Sequence, residues 1–201
     1  MRRLFPATRR FLEACVLGSL VACPAIAIAE GEPADSAAEG PLAEARRHFE
    51  LGVIHFDRRE WQAALVEFLR SRELVATRAN TKNAAICLRK MGRFDESLDL
   101  YEALVRDFPD LADTDRELAR REIAELSASV GTLEIRGAPP GARVSVDGAE
   151  RGATPLAVPL RLSAGTHTVR VEKPGWLPWE TRVDLVGREA KVVRALSLIH
   201  I

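Results

Sequence analysis

The spacing of apolar residues changes once along this chain of 201 residues, and that change limits what each part can fold into. Over residues 42–130 apolar side chains recur every three or four positions, which gives a helix one buried face. From Gly131 onward they alternate with polar residues in short runs broken by Gly and Pro, as in half-buried strands. A helical pattern followed by a strand pattern predicts an α+β chain in two parts, with its junction near Val130-Gly131.

The helical part repeats itself. Leu51-Gly52, Ala64, Phe68 and Ala76 align with Ala84-Ala85, Ser97, Tyr101 and Pro109 at a constant offset of 33, and Trp61 and Phe94 obey the same offset. The copies span residues 45–77 and 78–111. Small residues at Gly52, Ala64, Ala85 and Ser97 let paired helices approach closely, and Phe68 and Tyr101 fill the space between them. Two helix pairs leave an apolar end exposed, and residues 113–129 supply a cover. Thr114 followed by Glu117 reads as a capping-box start, and Ala119, Ile123, Leu126 and Val130 form one apolar stripe.

The period and its landmarks resemble the tetratricopeptide repeat. The first copy keeps Leu51, Gly52, Ala64 and Phe68, with His48, His55 and Ala76 where the family has Trp, Tyr and Pro. The second keeps Tyr101 and Pro109, has Ala84-Ala85 in place of Leu-Gly, and carries the familiar turn Met91-Gly92-Arg93-Phe94. The resemblance implies that the first helix of each pair lines a concave groove. In that register Arg46, Phe49, Val53 and Phe56 face the groove from the first copy, and Lys82, Asn83, Ile86, Arg89 and Lys90 from the second. Between Leu74 and Phe94 there is no acid, while Arg78, Lys82, Arg89, Lys90 and Arg93 are basic. An Asn flanked by cations suits a carboxylate or an acidic peptide. The alternative is a solvated face balanced by Glu60, Glu67 and Glu73 of the neighbouring helix.

Beyond the junction, residues 131–136, 143–147 and 168–172 alternate as strands. Asp147-Gly148 and Ala164-Gly165 are turn signals, and the whole predicts a compact β-sandwich. Nothing in residues 191–198, the last strand, selects a buried face. Pro140-Gly141-Ala142, Val144-x-Val146-Asp147-Gly148, Gly152-x-Thr154-Pro155-Leu156, Gly165-x-His167-x-Val169 and Lys173-x-Gly175-Trp176 follow one another in an order that resembles the PEGA domain. That domain is a small all-β module of bacterial envelope and surface proteins. The resemblance covers nearly all of residues 131–198, although Pro140 directly precedes Gly141, so the namesake glutamate is missing. It implies a packed aromatic at Trp176 and a structural histidine beside a turn at His167. Trp179, less expected, is either an exposed platform for a sugar ring or an edge-packing residue.

Four arginines within residues 1–14, the uncharged run at residues 14–29 and a small-residue exit predict a secretory signal over residues 1–29. The run has 16 residues, short of the roughly 20 that span a bilayer. Two processing routes stand open. Ala27-Ile28-Ala29 suits ordinary cleavage before Glu30, whereas Leu20-Val21-Ala22-Cys23 looks like a lipobox in which Cys23 is lipidated. Residues 30–41, rich in acids, Ala, Gly and Pro, read as a flexible leader.

The charges cancel overall, with a net of +3 in residues 1–29 and −3 in the remainder, so nucleic acid is not an expected partner. Cys15 and Cys23 lie in the signal, so Cys87 is the one cysteine of the mature body beyond it and reads as a small buried apolar residue. His48 and His55 stand seven apart on one helical face, but without a third ligand they do not make a metal site. There is no nucleophile elbow, zincin motif, phosphate loop or carboxylate pair marked by an apolar setting. The expectation is a non-enzymatic, cofactor-free adaptor or scaffold in the periplasm or at the cell surface. Its groove would hold an envelope protein or peptide, and the membrane would be touched only through the signal or a lipid anchor. The alternative is a protein that binds cell-wall glycan through its β part.

Overall fold

Five helices followed by seven strands make up residues 36–195, the part of the chain described by the computed structural model. The helices are α1 (Ser36–Asp57), α2 (Trp61–Leu74), α3 (Arg78–Lys90), α4 (Phe94–Asp107) and α5 (Asp113–Ser127). Their ends repeat. Asp57 and Lys90, Trp61 and Phe94, and Leu74 and Asp107 are each 33 residues apart. The small residues allow this. Gly52 lies against the Phe68 ring so closely that a Cβ would stand 2.7 Å from it. Ser97, fully buried, settles its hydroxyl by donating to the Ala85 carbonyl at 2.8 Å.

Two apolar cores run through the helices. Ala64, Leu65, Phe68, Ala84, Cys87 and Leu88 form one between α1, α2 and α3. The other joins Ala85, Leu98, Tyr101, Leu104, Ala119 and Leu126 of α3, α4 and α5, and continues into Val130. The α3 start is fixed by a capping box. The Thr77 hydroxyl accepts from Asn80 N–H at 3.2 Å, and Asn80 Oδ1 accepts from Thr77 N–H at 2.9 Å. Asn80 is itself buried, donating to Ser71 and to the Val75 carbonyl.

Two local expectations are corrected. Residues 36–41 belong to α1 rather than to a leader, with Pro41 inside the helix. Helix α5 begins at Asp113 with Ala112 as N-cap and no side-chain cap, so Thr114 does not open a capping box. Asp113 and Asp115 in its first turn stabilise that end through the helix dipole instead.

The strands are β1 (Val130–Arg136), β2 (Arg143–Val146), β3 (Ala149–Ala153), β4 (Leu160–Ser163), β5 (Gly165–Glu172), β6 (Trp179–Leu185) and β7 (Ala190–Arg194). They form a three-stranded sheet in the order β4-β1-β7 and a four-stranded sheet in the order β3-β2-β5-β6. All neighbours are antiparallel except β1 and β7, which run parallel. Leu133, Leu162 and Val193 of the first sheet share a core with Val146, Val169, Val183 and Leu185 of the second. Val193 is therefore the inward position of the last strand, and Val192 is half exposed. The β2–β3 turn takes positive φ at both Asp147 (51°) and Gly148 (80°), the hairpin geometry that Asp-Gly favours.

Helices and strands meet in a tight seam. Gly131 packs under Leu185, and Gly187 passes so near the Ala128 carbonyl that no side chain fits. Arg188 N–H donates to the Val130 carbonyl and Ala164 N–H to the Ser129 carbonyl. Among the described residues no helix is long and apolar enough to cross a membrane. The expected signal over residues 1–29, including Cys23, lies outside the described residues, as do residues 196–198.

Candidate functional site

The offset of 33 carries the expected groove residues onto equivalent positions of successive helices. Phe49, Val53 and Phe56 of α1 correspond to Lys82, Ile86 and Arg89 of α3, and Lys82 and Arg89 correspond in turn to Asp115 and Glu122 of α5. The face is thus apolar on the first helix, basic on the second and acidic on the third.

The apolar step is only half open. Phe49, Val53 and Phe56 are partly buried and pack on the first core. The rings of Phe49 and Phe56 lie 5.6 and 6.2 Å from that of Phe68, and Phe56 meets Trp61 edge-on at 5.2 Å. Phe49 also borders an apolar cavity of about 300 Å³ with Leu42, Ala45, Val75 and Ala79, and the exposed Arg46 stands among its lining residues.

The basic step is engaged by the acidic one. Lys82 Nζ lies 3.1 Å from Asp115 Oδ1, and Arg89 holds Glu122 through one guanidinium nitrogen and Glu125 through the other at 2.7 Å. Arg78 pairs with Asp110. The acids expected to balance α3 have other partners. Glu67 accepts from His48, Glu60 pairs with His55, and Glu73 binds Arg70. Offset arithmetic on Lys82 and Arg89 alone would have found Asp115 and Glu122. Asn83, half-buried, lines a pocket of about 370 Å³ with Arg78, Lys82, Leu104, Leu111 and Asp115. Ile86 packs against the second core, and Lys90 is exposed at the end of α3.

Trp176 and Trp179 are both partly buried. Trp179 begins β6 and packs against both β cores, so it is no exposed sugar platform. Its parity with Val183 and Leu185 was the available signal. Trp176 instead borders a pocket of about 460 Å³ with Arg143, Glu150, Glu172 and Lys173, and Lys173 Nζ lies 5.7 Å from its ring centre. His167 stands beside the β2–β3 turn, bonded to Asp147 and to the Ser163 carbonyl.

Cys87 is fully buried, and burial pushes its thiol up to about 11. His48 and His55 are drawn to separate carboxylates. Among the described residues no group of three or more His, Cys, Asp and Glu is placed to hold a metal ion.

A further set of contacts, invisible to local pattern, joins the helices to the strands. Arg161 of β4 holds Asp99 at 3.0 Å and Glu102 at 2.6 Å. Burial raises the Asp99 carboxyl, and the bond to Arg161 only partly offsets it. Arg151 of β3 lies 3.7 Å from the buried Asp95 carboxylate.

Compared with known families, residues 130–198 match the model of the PEGA domain. No tetratricopeptide family model matches the helices. No curated protein and no solved structure matched the chain.

Proposed function

We propose that this chain is a non-enzymatic adaptor of the bacterial envelope. Its tetratricopeptide-type helices would hold an extended peptide or partner protein, and a PEGA-type β-sandwich forms its second part. The observation that supports this is the row of equivalent positions, 33 residues apart, running across α1, α3 and α5 on one face. Such a face reads a partner in steps. Because Lys82 and Arg89 are engaged by α5, recognition rests on the apolar step of Phe49, Val53 and Phe56, with Arg46, Asn83 and Lys90 as polar contacts at its margins. The arginine-rich start and uncharged run support export to the periplasm or cell surface. The chain would be soluble after cleavage before Glu30 or anchored through Cys23. The reading requires no cofactor.

The test is capture of an envelope protein on the immobilised chain lacking residues 1–29. Arg46→Glu should weaken capture at least tenfold, since a charge-assisted contact is worth roughly 1.5–3 kcal/mol, and Asn83→Glu should weaken it by placing a carboxylate in the groove, while circular dichroism stays unchanged. Capture that survives both substitutions at full strength removes these polar contacts from the reading, and capture that also survives Val53→Glu, which charges the apolar step, removes the groove from consideration.

A second reading, glycan binding by the β part, draws support from the Trp176 pocket rather than from Trp179. It expects co-sedimentation with insoluble cell-wall glycan that is lost on Trp176→Ala and kept in Arg46→Glu. Indifference to Trp176→Ala disposes of it.

A further inference from the structure

Where strands meet helices, one histidine is held between two oxygens. His167 Nδ1 lies 2.6 Å from Asp147 Oδ2, and its Nε2 lies 2.7 Å from the Ser163 carbonyl oxygen. An ionised carboxylate and a backbone carbonyl both accept and neither donates. A neutral imidazole has one N–H and would turn a lone pair on one of them. The imidazolium satisfies both.

The surroundings favour that charge. Asp147 approaches from the β2–β3 turn and Asp95 from α4, with Arg151 of β3 between these acids. Arg93 and Glu96 of the α4 start are paired with each other, and Asp184 of β6 accepts from Thr166. Burial pulls the imidazole down, but the bonds to Asp147 and Ser163 and the nearby carboxylates outweigh it and hold His167 above its ordinary value.

Ser163 carries the consequence into the helices. Its hydroxyl oxygen accepts from the N–H of Phe94 at 2.9 Å and of Asp95 at 3.3 Å, and its proton goes to Asp95 Oδ1 at 2.7 Å. Phe94 and Asp95 open α4, and Arg93, at the local N-cap position, makes no side-chain cap bond. A strand residue 68 positions away in sequence therefore supplies the cap.

We infer that His167 is a proton-operated latch between the β-sheets and helix α4. As imidazolium it pins the Ser163 backbone and so holds the cap in place. As neutral imidazole it keeps its N–H on Asp147, turns a lone pair on the Ser163 carbonyl and loosens the cap. Because the folded-state value is raised, the latch is fully closed below the ordinary imidazole range, about 6.5, and opens as pH rises through the raised value.

The test is amide hydrogen exchange at Phe94 and Asp95 in the full chain, alongside titration of the His167 ring by NMR. After correction for intrinsic exchange, protection of both amides should fall about tenfold across the His167 midpoint, while amides of α2 stay level. Ser163→Ala should leave both amides unprotected at every pH, with His167 still titrating high because its acceptor is the backbone carbonyl. His167→Gln should erase the pH step. Level protection across the midpoint, a midpoint at or below the ordinary value, or a step that persists in His167→Gln would each overturn the latch. The measurement on the unsubstituted chain decides even if a variant fails to fold.

Discussion

Replacing Gly52 by alanine sets two opposed effects against each other. In a helix interior the exchange favours folding by roughly 0.5–1 kcal/mol, because glycine gives up the most backbone freedom. The new Cβ, however, would lie 2.7 Å from Cδ1 and Cε1 of Phe68 and 3.1 Å from Cζ. Phe68 is 0% exposed and ringed by Phe49 and Phe56, so its ring has little room to retreat. Overpacking of this kind costs about 1–3 kcal/mol. The clash should win, leaving Gly52→Ala destabilised by about 1–2 kcal/mol. Urea unfolding followed by far-UV circular dichroism would read this as a lower midpoint at unchanged slope. Adding Phe68→Leu should then cost less than the two changes separately, since the smaller side chain relieves the contact. A Gly52→Ala chain as stable as the parent, or strictly additive losses in the pair, would refute the reasoning.

Gly187→Ala should be worse, roughly 3 kcal/mol by thermal melting, because the added Cβ would stand 1.8 Å from the Ala128 carbonyl oxygen and backbone cannot step aside. Cys87, with its thiol raised to about 11, should resist a thiol reagent at pH 8 until denaturant is added. At Asp147 burial raises the carboxyl, but bonds from His167 and from Thr168 N–H outweigh it and leave it below the ordinary range. The stability this gives is present above that range and is lost as pH falls through the depressed value. Asp147→Asn should flatten the acid limb of a urea-midpoint profile.

Local pattern made much of this architecture legible. The change of period at Gly131, the repeat through Gly52, Phe68, Ser97 and Tyr101, and the Asp147-Gly148 turn all depend on near neighbours in sequence. What escaped depended on which elements lie side by side. The cations of α3 meet acids from α5 rather than from α2, because helices one repeat apart present equivalent positions to each other. Of the two roles open to Trp179, packing follows only once Trp179, Val183 and Leu185 are seen to share one strand face. The Ser163 cap on α4 could not be read locally at all, since its two halves are 68 residues apart and neither serine nor acid is unusual where it stands.

The parallel pairing of β1 with β7 bears on the order in which the chain acquires structure. Each helix packs chiefly on its neighbour in sequence, so the array can assemble as it is synthesised. Strand β1 is different. It lies in the middle of its sheet, and Thr132 must wait for Glu189, 57 residues later, before its N–H finds a partner. Until residues 189–194 emerge, one side of β1 is an open template of donors and acceptors next to a finished helical array. A chain shortened within β7 should therefore keep its helices and lose solubility through that unpaired edge.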